Sequence, residues 1–227
     1  MRLQIFVEDR RPEAYEILAW KAFGDSPLKS DCKKIKASWL HLVDFTTASS
    51  LLEKVKLSQE AGFDTIFFIL DQEGYASEGR PATLDAFLRA FRDLCNYLKN
   101  PHEEALRHVR VVRIVSKRCL EGWLAADPQA IVESARGGEK YRPAPRQTEE
   151  LTPKQALGLI HHLLRETSNK LKHRALQDLN KDAIKSRGPS IASHLDPTRA
   201  RRYNRSLAYF FDMVTGPRNG CEHPCPE

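Results

Sequence analysis

Long apolar runs are missing from this chain of 227 residues. No stretch approaches the ~18 consecutive apolar residues of a membrane-spanning helix, so an integral membrane protein is not expected. The opening MRLQIFVEDRR turns from apolar to charged too early to hold a signal-peptide core, which points to the cytoplasm. Cysteine is also sparse. The five residues Cys32, Cys95, Cys119, Cys221 and Cys225 are odd in number and scattered, so reduced thiols are expected rather than a disulfide framework. Neither a P-loop nor a G-x-G-x-x-G occurs, so the chain has no recognisable ATP or dinucleotide site of its own.

What is present describes an ordinary folded chain, with 41% hydrophobic and 29% charged residues, and its length suits one to two domains. The formal charge of +6 is unevenly spread. Up to Ala135 there are 19 basic and 20 acidic residues, whereas from Arg136 onward there are 17 and 10. A near-neutral first part followed by a basic one suggests a structural or catalytic module joined to a polyanion-binding surface.

The first part alternates strand and helix patterns. Leu3–Val7, Asp64–Leu70 and His108–Val115 read as strands, the second continuously apolar as in a strand buried on both faces. Helices are predicted from Pro12 to Phe23, Thr46 to Ala61 with Gly62 as its stop, Pro81 to about Leu98, and from Leu120. This alternation implies βαβ crossovers, hence an α/β fold with a mostly parallel sheet flanked by helices. A polar stretch from Gly137 to Pro153 suggests a boundary. The expected organisation is an α/β domain over 1–136, a basic helical extension over 137–215 that includes one helix from Pro197 to Val214, and a loose tail over 216–227.

Open α/β sheets place reactive groups beyond the carboxyl ends of their strands. Glu8 follows the first predicted strand and Asp71 the second, with Glu73 two residues on; Glu121 lies just after the third. Such oxygen ligands suit Mg²⁺ or Mn²⁺. Glu8, Asp71 and Glu73 are therefore expected to face one cleft that Glu121 borders.

These residues resemble the Toprim arrangement, which pairs a glutamate after the first strand with a D-x-D element after a later one. The block Cys119-Leu-Glu121-Gly-Trp123-Leu-Ala-Ala-Asp127 is similar to the E-A-W-L-L-A-D element of a Toprim-like prokaryotic family of unknown function. Lys185, Gly188-Pro189, Ile191-Ala192 and Arg205-Ser206-Leu207 match later elements, so the resemblance runs from Leu3 to Val214. Asp9 stands where the family has glycine, and Glu73 where it has aspartate. The resemblance implies a Toprim-like fold and metal-assisted phosphodiester cleavage of DNA or RNA. Glu8, Asp71 and Glu73 would hold Mg²⁺ or Mn²⁺, with Glu121 as a further acid. It also implies an ATPase partner in a defence-type gene cluster. A homo-oligomer is left open. The alternative is a Toprim-like module that binds nucleic acid or an ATPase without cutting.

Arg165 to Arg205 holds 11 basic and 4 acidic residues. Lys185, Arg187, Arg199, Arg201, Arg202 and Arg205 are the candidate nucleic-acid contacts of this segment. Trp123 reads as core more readily than as a base-stacking residue. Cys221-Glu-His223-Pro-Cys225 is too tightly spaced for a usual zinc site. The adjacent pair His161-His162 cannot point both rings to one helix face. Ser116 has no readable triad around it.

Overall fold

Four short parallel strands are laid down in the order β2-β1-β3-β4. The structure is a computed structural model that describes residues 1–24, 28–71, 81–99, 104–116, 120–135, 143–171 and 180–216. Its elements form two compact units, one comprising residues 1–12, 25–115 and 215–227 and the other 13–24 and 116–214. The fold is α/β, as the alternation of strands and helices predicts. No helix among the described residues is long and apolar enough to cross a membrane.

The first unit is built on β1 (Arg2–Val7), β2 (Lys34–Trp39), β3 (Thr65–Asp71) and β4 (Arg110–Ser116). β1 lies between β2 and β3, with Val7 opposite Trp39 on one side and Ile69 on the other. Leu3, Ile5, Val7, Phe67 and Ile69 point to one face and are at most 2% exposed. Phe6, Ile66, Phe68 and Leu70 point to the other face and are buried too, the double burial expected of a parallel sheet. On that second face Phe6 stacks on Phe68 at 5.4 Å, and Phe45 and Phe91 meet Phe68 edge-on. Phe91 comes from the long helix Pro81–Leu98, whose Phe87, Leu94 and Cys95 join the same core.

A helix over Ala48–Glu60 completes this cover through Leu51 and Val55. Thr47 caps it, its hydroxyl accepting from the Ser50 N–H at 3.3 Å. It stops at Gly62, where φ is +79° and a Cβ would lie 2.4 Å from the Arg2 guanidinium, so only glycine fits without strain.

The second unit is helical. In chain order its helices are α1 (Glu13–Phe23), α2 (Leu120–Ala125), α3 (Pro128–Ser134), α4 (Pro153–Leu171), α5 (Lys181–Lys185), α6 (Gly188–His194), α7 (Pro197–Ala200) and α8 (Arg205–Thr215). Trp123, 1% exposed, sits at its centre against Tyr15 and Phe210 and donates its indole N–H to the Ser206 hydroxyl at 2.9 Å. This agrees with the core reading of that residue.

Three expectations are corrected, and one strand is added. The compact units do not divide at 136/137, because α2 and α3 pack on α4 and α6, and α1 packs on α6. The helix expected from Pro197 to Val214 is two helices, broken around Arg201–Asn204. Asn204 restarts it: its Oδ1 accepts from the Leu207 N–H at 2.9 Å and from the Ser206 hydroxyl at 3.0 Å, while its amide donates to Thr148 at 3.2 Å. β2 was not foreseen, because the alternation of lysine and small residues in Lys34-Ile-Lys-Ala-Ser-Trp39 gives little apolar signal. Finally, Cys95 is disulfide-bonded, while Cys32 is a free, buried thiol.

Asn204→Ala removes a helix cap, the acceptor of the buried Ser206 hydroxyl and a donor to Thr148. It should cost about 2–3 kcal/mol of stability, read as a lower urea midpoint.

Candidate functional site

The strand order reverses direction at β1, since the chain moves from β1 to β2 on one side and then crosses back to β3 on the other. In open parallel sheets a crevice forms at such a point, beyond the carboxyl ends of the two strands. Glu8 follows the last residue of β1 and Asp71 is the last residue of β3, so both carboxylates belong to this end of the sheet. Strand spacing and rise set their Cα atoms roughly 6–8 Å apart. Each is half-buried.

The pleat would send Glu8 and Asp71 to opposite faces if β1 continued, because Glu8 shares the parity of Leu70. β1 does not continue. The chain bends at Glu8–Arg10, and the Asp9 carboxylate accepts from the Arg11 N–H at 2.9 Å to close the turn. Asp9 thus does by an Asx turn what glycine would do by conformational freedom. The bend ends the strand alternation at Val7, so the pleat of β1 does not fix the direction of Glu8.

Glu73 lies outside the described residues, as does the Cys221–Cys225 segment. Among the described residues no group of three His, Cys, Asp or Glu is placed to hold a metal ion. Of the three expected ligands, Glu8 and Asp71 are described, and carboxylate oxygens are of the kind that Mg²⁺ or Mn²⁺ takes.

Glu121 belongs to the helical unit, on α2, where it is 8% exposed and pairs with the Lys185 ammonium at 3.3 Å. Two residues of the resembled motifs therefore neutralise one another. Asp127, at the end of the same motif, is a structural staple. It is 1% exposed and caps α3 through the Ala130 N–H, and it also accepts from the Asp196 N–H at 2.8 Å. Its remaining capacity goes to Arg199, whose Nε and Nη2 donate at 3.2 and 2.9 Å in a two-pronged contact. Burial works against the charge on Arg199, but the hydrogen bond and negative charge of Asp127, with Asp196 and Glu133 beyond, raise its pKa.

The six basic candidates therefore divide. Lys185, Arg199 and Arg201 face carboxylates, the last pairing with Asp212. Arg187, Arg202 and Arg205 have no carboxylate partner among the described residues, and Arg202 and Arg205 are exposed. Ion pairing across a helix break leaves no pattern in the sequence, so this division was not foreseen.

Two further features escaped the sequence reading. Trp39, His41 and Arg10 group at the carboxyl end of β2, with the indole 4.0 Å from the imidazole. Glu149, 7% exposed, accepts from the Ser206 N–H at 3.2 Å, while its second oxygen is buried with no hydrogen-bond partner among the described residues. A single exposed aromatic on an edge strand and a lone glutamate in a loop carry no periodic signal. The imidazole Nε2 of His161 and the hydroxyl of Ser116 are likewise buried with no hydrogen-bond partner among the described residues.

Compared with protein-family models, with curated proteins and with solved structures, the chain matches none.

Replacing Asp127 by Ala removes a cap and the acceptor of a charged pair, at a cost of about 2–4 kcal/mol. The cost stays below that of a fully buried pair because the Arg199 side chain is 45% exposed and regains water. Asp127→Asn keeps the cap and should lose less. Melting temperatures of the two variants check this order.

Proposed function

We propose that this protein is a divalent-metal-dependent nuclease that cleaves phosphodiester bonds of DNA or RNA. The observation that carries the reading is the position of Glu8 and Asp71 at the carboxyl ends of neighbouring strands where the sheet order reverses. Mg²⁺ or Mn²⁺, when bound there, would orient a phosphate, offset its developing charge and activate a water. Glu8 and Asp71 would hold it, with Glu73 as the third ligand expected from the resemblance. Arg187, Arg202 and Arg205 are the guanidinium groups best suited to meet the nucleic-acid backbone.

The Toprim-like assignment, the ATPase partner and the defence-type setting rest on the sequence resemblance alone. A cytoplasmic location belongs to the same proposal, and the disulfide at Cys95 weighs against a strongly reducing compartment. A second reading, a module that binds nucleic acid or an ATPase without cutting, is favoured by the Glu121–Lys185 pair, which offers a neutralised acid rather than an open ligand.

Asp71→Asn keeps the shape of the side chain but removes the charge a divalent ion needs. Cleavage of DNA and RNA pools in Mg²⁺ or Mn²⁺ should be lost. The metal-dependent rise in melting temperature expected of the parent should shrink with it. Parent protein that neither cleaves nor responds to metal selects the binding module. A mutant that cleaves like the parent moves the chemistry to other residues.

The arginines give a separate test. Arg202→Gln with Arg205→Gln should lower the salt slope of duplex binding by up to about 1.8, at ~0.9 per phosphate contact. Arg199→Gln with Arg201→Gln should leave the slope nearly unchanged and lower the melting temperature instead. A reversed result would place the polyanion contact on the paired arginines.

A further inference from the structure

We propose that Trp39 is a base-stacking platform for single-stranded nucleic acid, with Arg10 as its phosphate partner, at the carboxyl end of the sheet beside Glu8. This rests on the nucleic-acid reading above and names the form of substrate that the site would take.

The placement follows from the strand register. Trp39 ends β2, the edge strand, directly opposite Val7, and the Leu40 N–H donates to the Val7 carbonyl at 2.9 Å. The indole is therefore fixed by backbone pairing one residue before Glu8, on a rigid strand rather than a loop. It is 38% exposed, whereas Trp123, which only packs, is 1% exposed. Its neighbours are polar cations or potential cations. The His41 ring lies 4.0 Å from it at a 59° tilt, and the Arg10 guanidinium carbon stands 5.7 Å from the ring centroid.

Both of these side chains are exposed, and Arg10 has no carboxylate partner among the described residues. At 5.7 Å the guanidinium lies over the ring at the outer limit of a cation–π contact, so an arriving base takes its place on the indole. A base that slides onto the indole would meet Arg10 as the counter-charge for its phosphate. Lys36 and Lys34, both exposed, continue the positive charge along the same edge strand. Stacking is open only to a base released from its duplex, because a paired base offers its faces to its neighbours. The arrangement thus selects single strands, and it does so without reading sequence, since every base has a π face.

The test is a fluorescence titration of the full chain with a short oligothymidylate, with an abasic analogue of the same length, and with a duplex, all in chelator. Working without metal separates binding from cutting. The parent should show quenching by oligothymidylate. Trp39→Phe, which retains Trp20 and Trp123, should lose most of that quenching. Trp39→Ala should weaken oligothymidylate binding roughly 5- to 150-fold, the range for loss of one stacked base, and leave duplex binding unchanged. The abasic analogue should bind the parent about as weakly as oligothymidylate binds Trp39→Ala.

Arg10→Gln lies outside the strand ladder, so it tests the same site without touching the fold. It should weaken both oligomers alike and reduce their salt dependence. Oligothymidylate binding unchanged in a folded Trp39→Ala, or equal parent affinity for the abasic analogue, would overturn the proposal. Cleavage in Mg²⁺ is then scored separately. A parent that stacks bases but cuts nothing loses the nuclease reading and keeps this one, and a parent that cuts while Trp39→Ala binds normally does the reverse.

Discussion

The requirement that a parallel sheet be buried on both faces governs the first unit. Parallel strands need crossovers, crossovers place helices over the sheet, and the covered strands then become apolar along their whole length. Leu3 to Val7 and Ile66 to Leu70 are such runs, almost without exposure. From Leu3 to Val7 on β1 and from Ile66 to Leu70 on β3 the faces hold no ionised group, and the acids Glu8 and Asp71 stand where those strands end. The order β2-β1-β3-β4 adds a direction reversal at β1, and so the ends of β1 and β3 are where neighbouring strands hand the chain to opposite sides. Glu8, Asp71 and, one strand over, Trp39 stand at that end of the sheet.

The helical unit solves a different problem. Its short helices cannot each bury a full apolar face, and polar staples hold their ends together. Asp127 joins the start of α3 to the start of α7 through Asp196 and Arg199, and Asn204 joins α8 to the segment at Thr148. Trp123 is tied into this network through Ser206. The block from Glu121 to Asp127, the most specific part of the resemblance, is thus largely a packing element. Trp123, Leu124, Ala125, Ala126 and Asp127 are all at most 2% exposed. The two acids of the block are both paired with cations, Glu121 with Lys185 and Asp127 with Arg199.

Much of this architecture was legible because the strongest signals are local. β3 is unbroken hydrophobicity, the helix at Pro81 has Phe87, Phe91 and Leu94 at helical spacing, and Gly62 marks a stop that its positive φ explains. Glu8 and Asp71 were found for the same reason, since an acid after an apolar run marks a strand end. What was missed depends on partners distant in sequence. β2 is held by backbone pairing to β1 and needs few apolar residues, so it left no pattern. Arg199 and Arg201 read as a basic face until their carboxylates, Asp127 and Asp212, are brought beside them by the fold. The division between units failed because α1, early in the chain, packs with α6, late in it. Trp39 became a candidate only when β2 carried it to the rung beside Val7.

The central proposal is that Glu8 and Asp71, at the carboxyl ends of neighbouring strands, would together hold a divalent ion. Binding of Mn²⁺ to the full chain, followed by electron paramagnetic resonance in the absence of nucleic acid, tests it directly. The account predicts a bound Mn²⁺ population in the parent that Mg²⁺ displaces and that Glu8→Gln abolishes without lowering the melting temperature of the metal-free protein. Mn²⁺ bound equally well by parent and Glu8→Gln, or by neither, would contradict it.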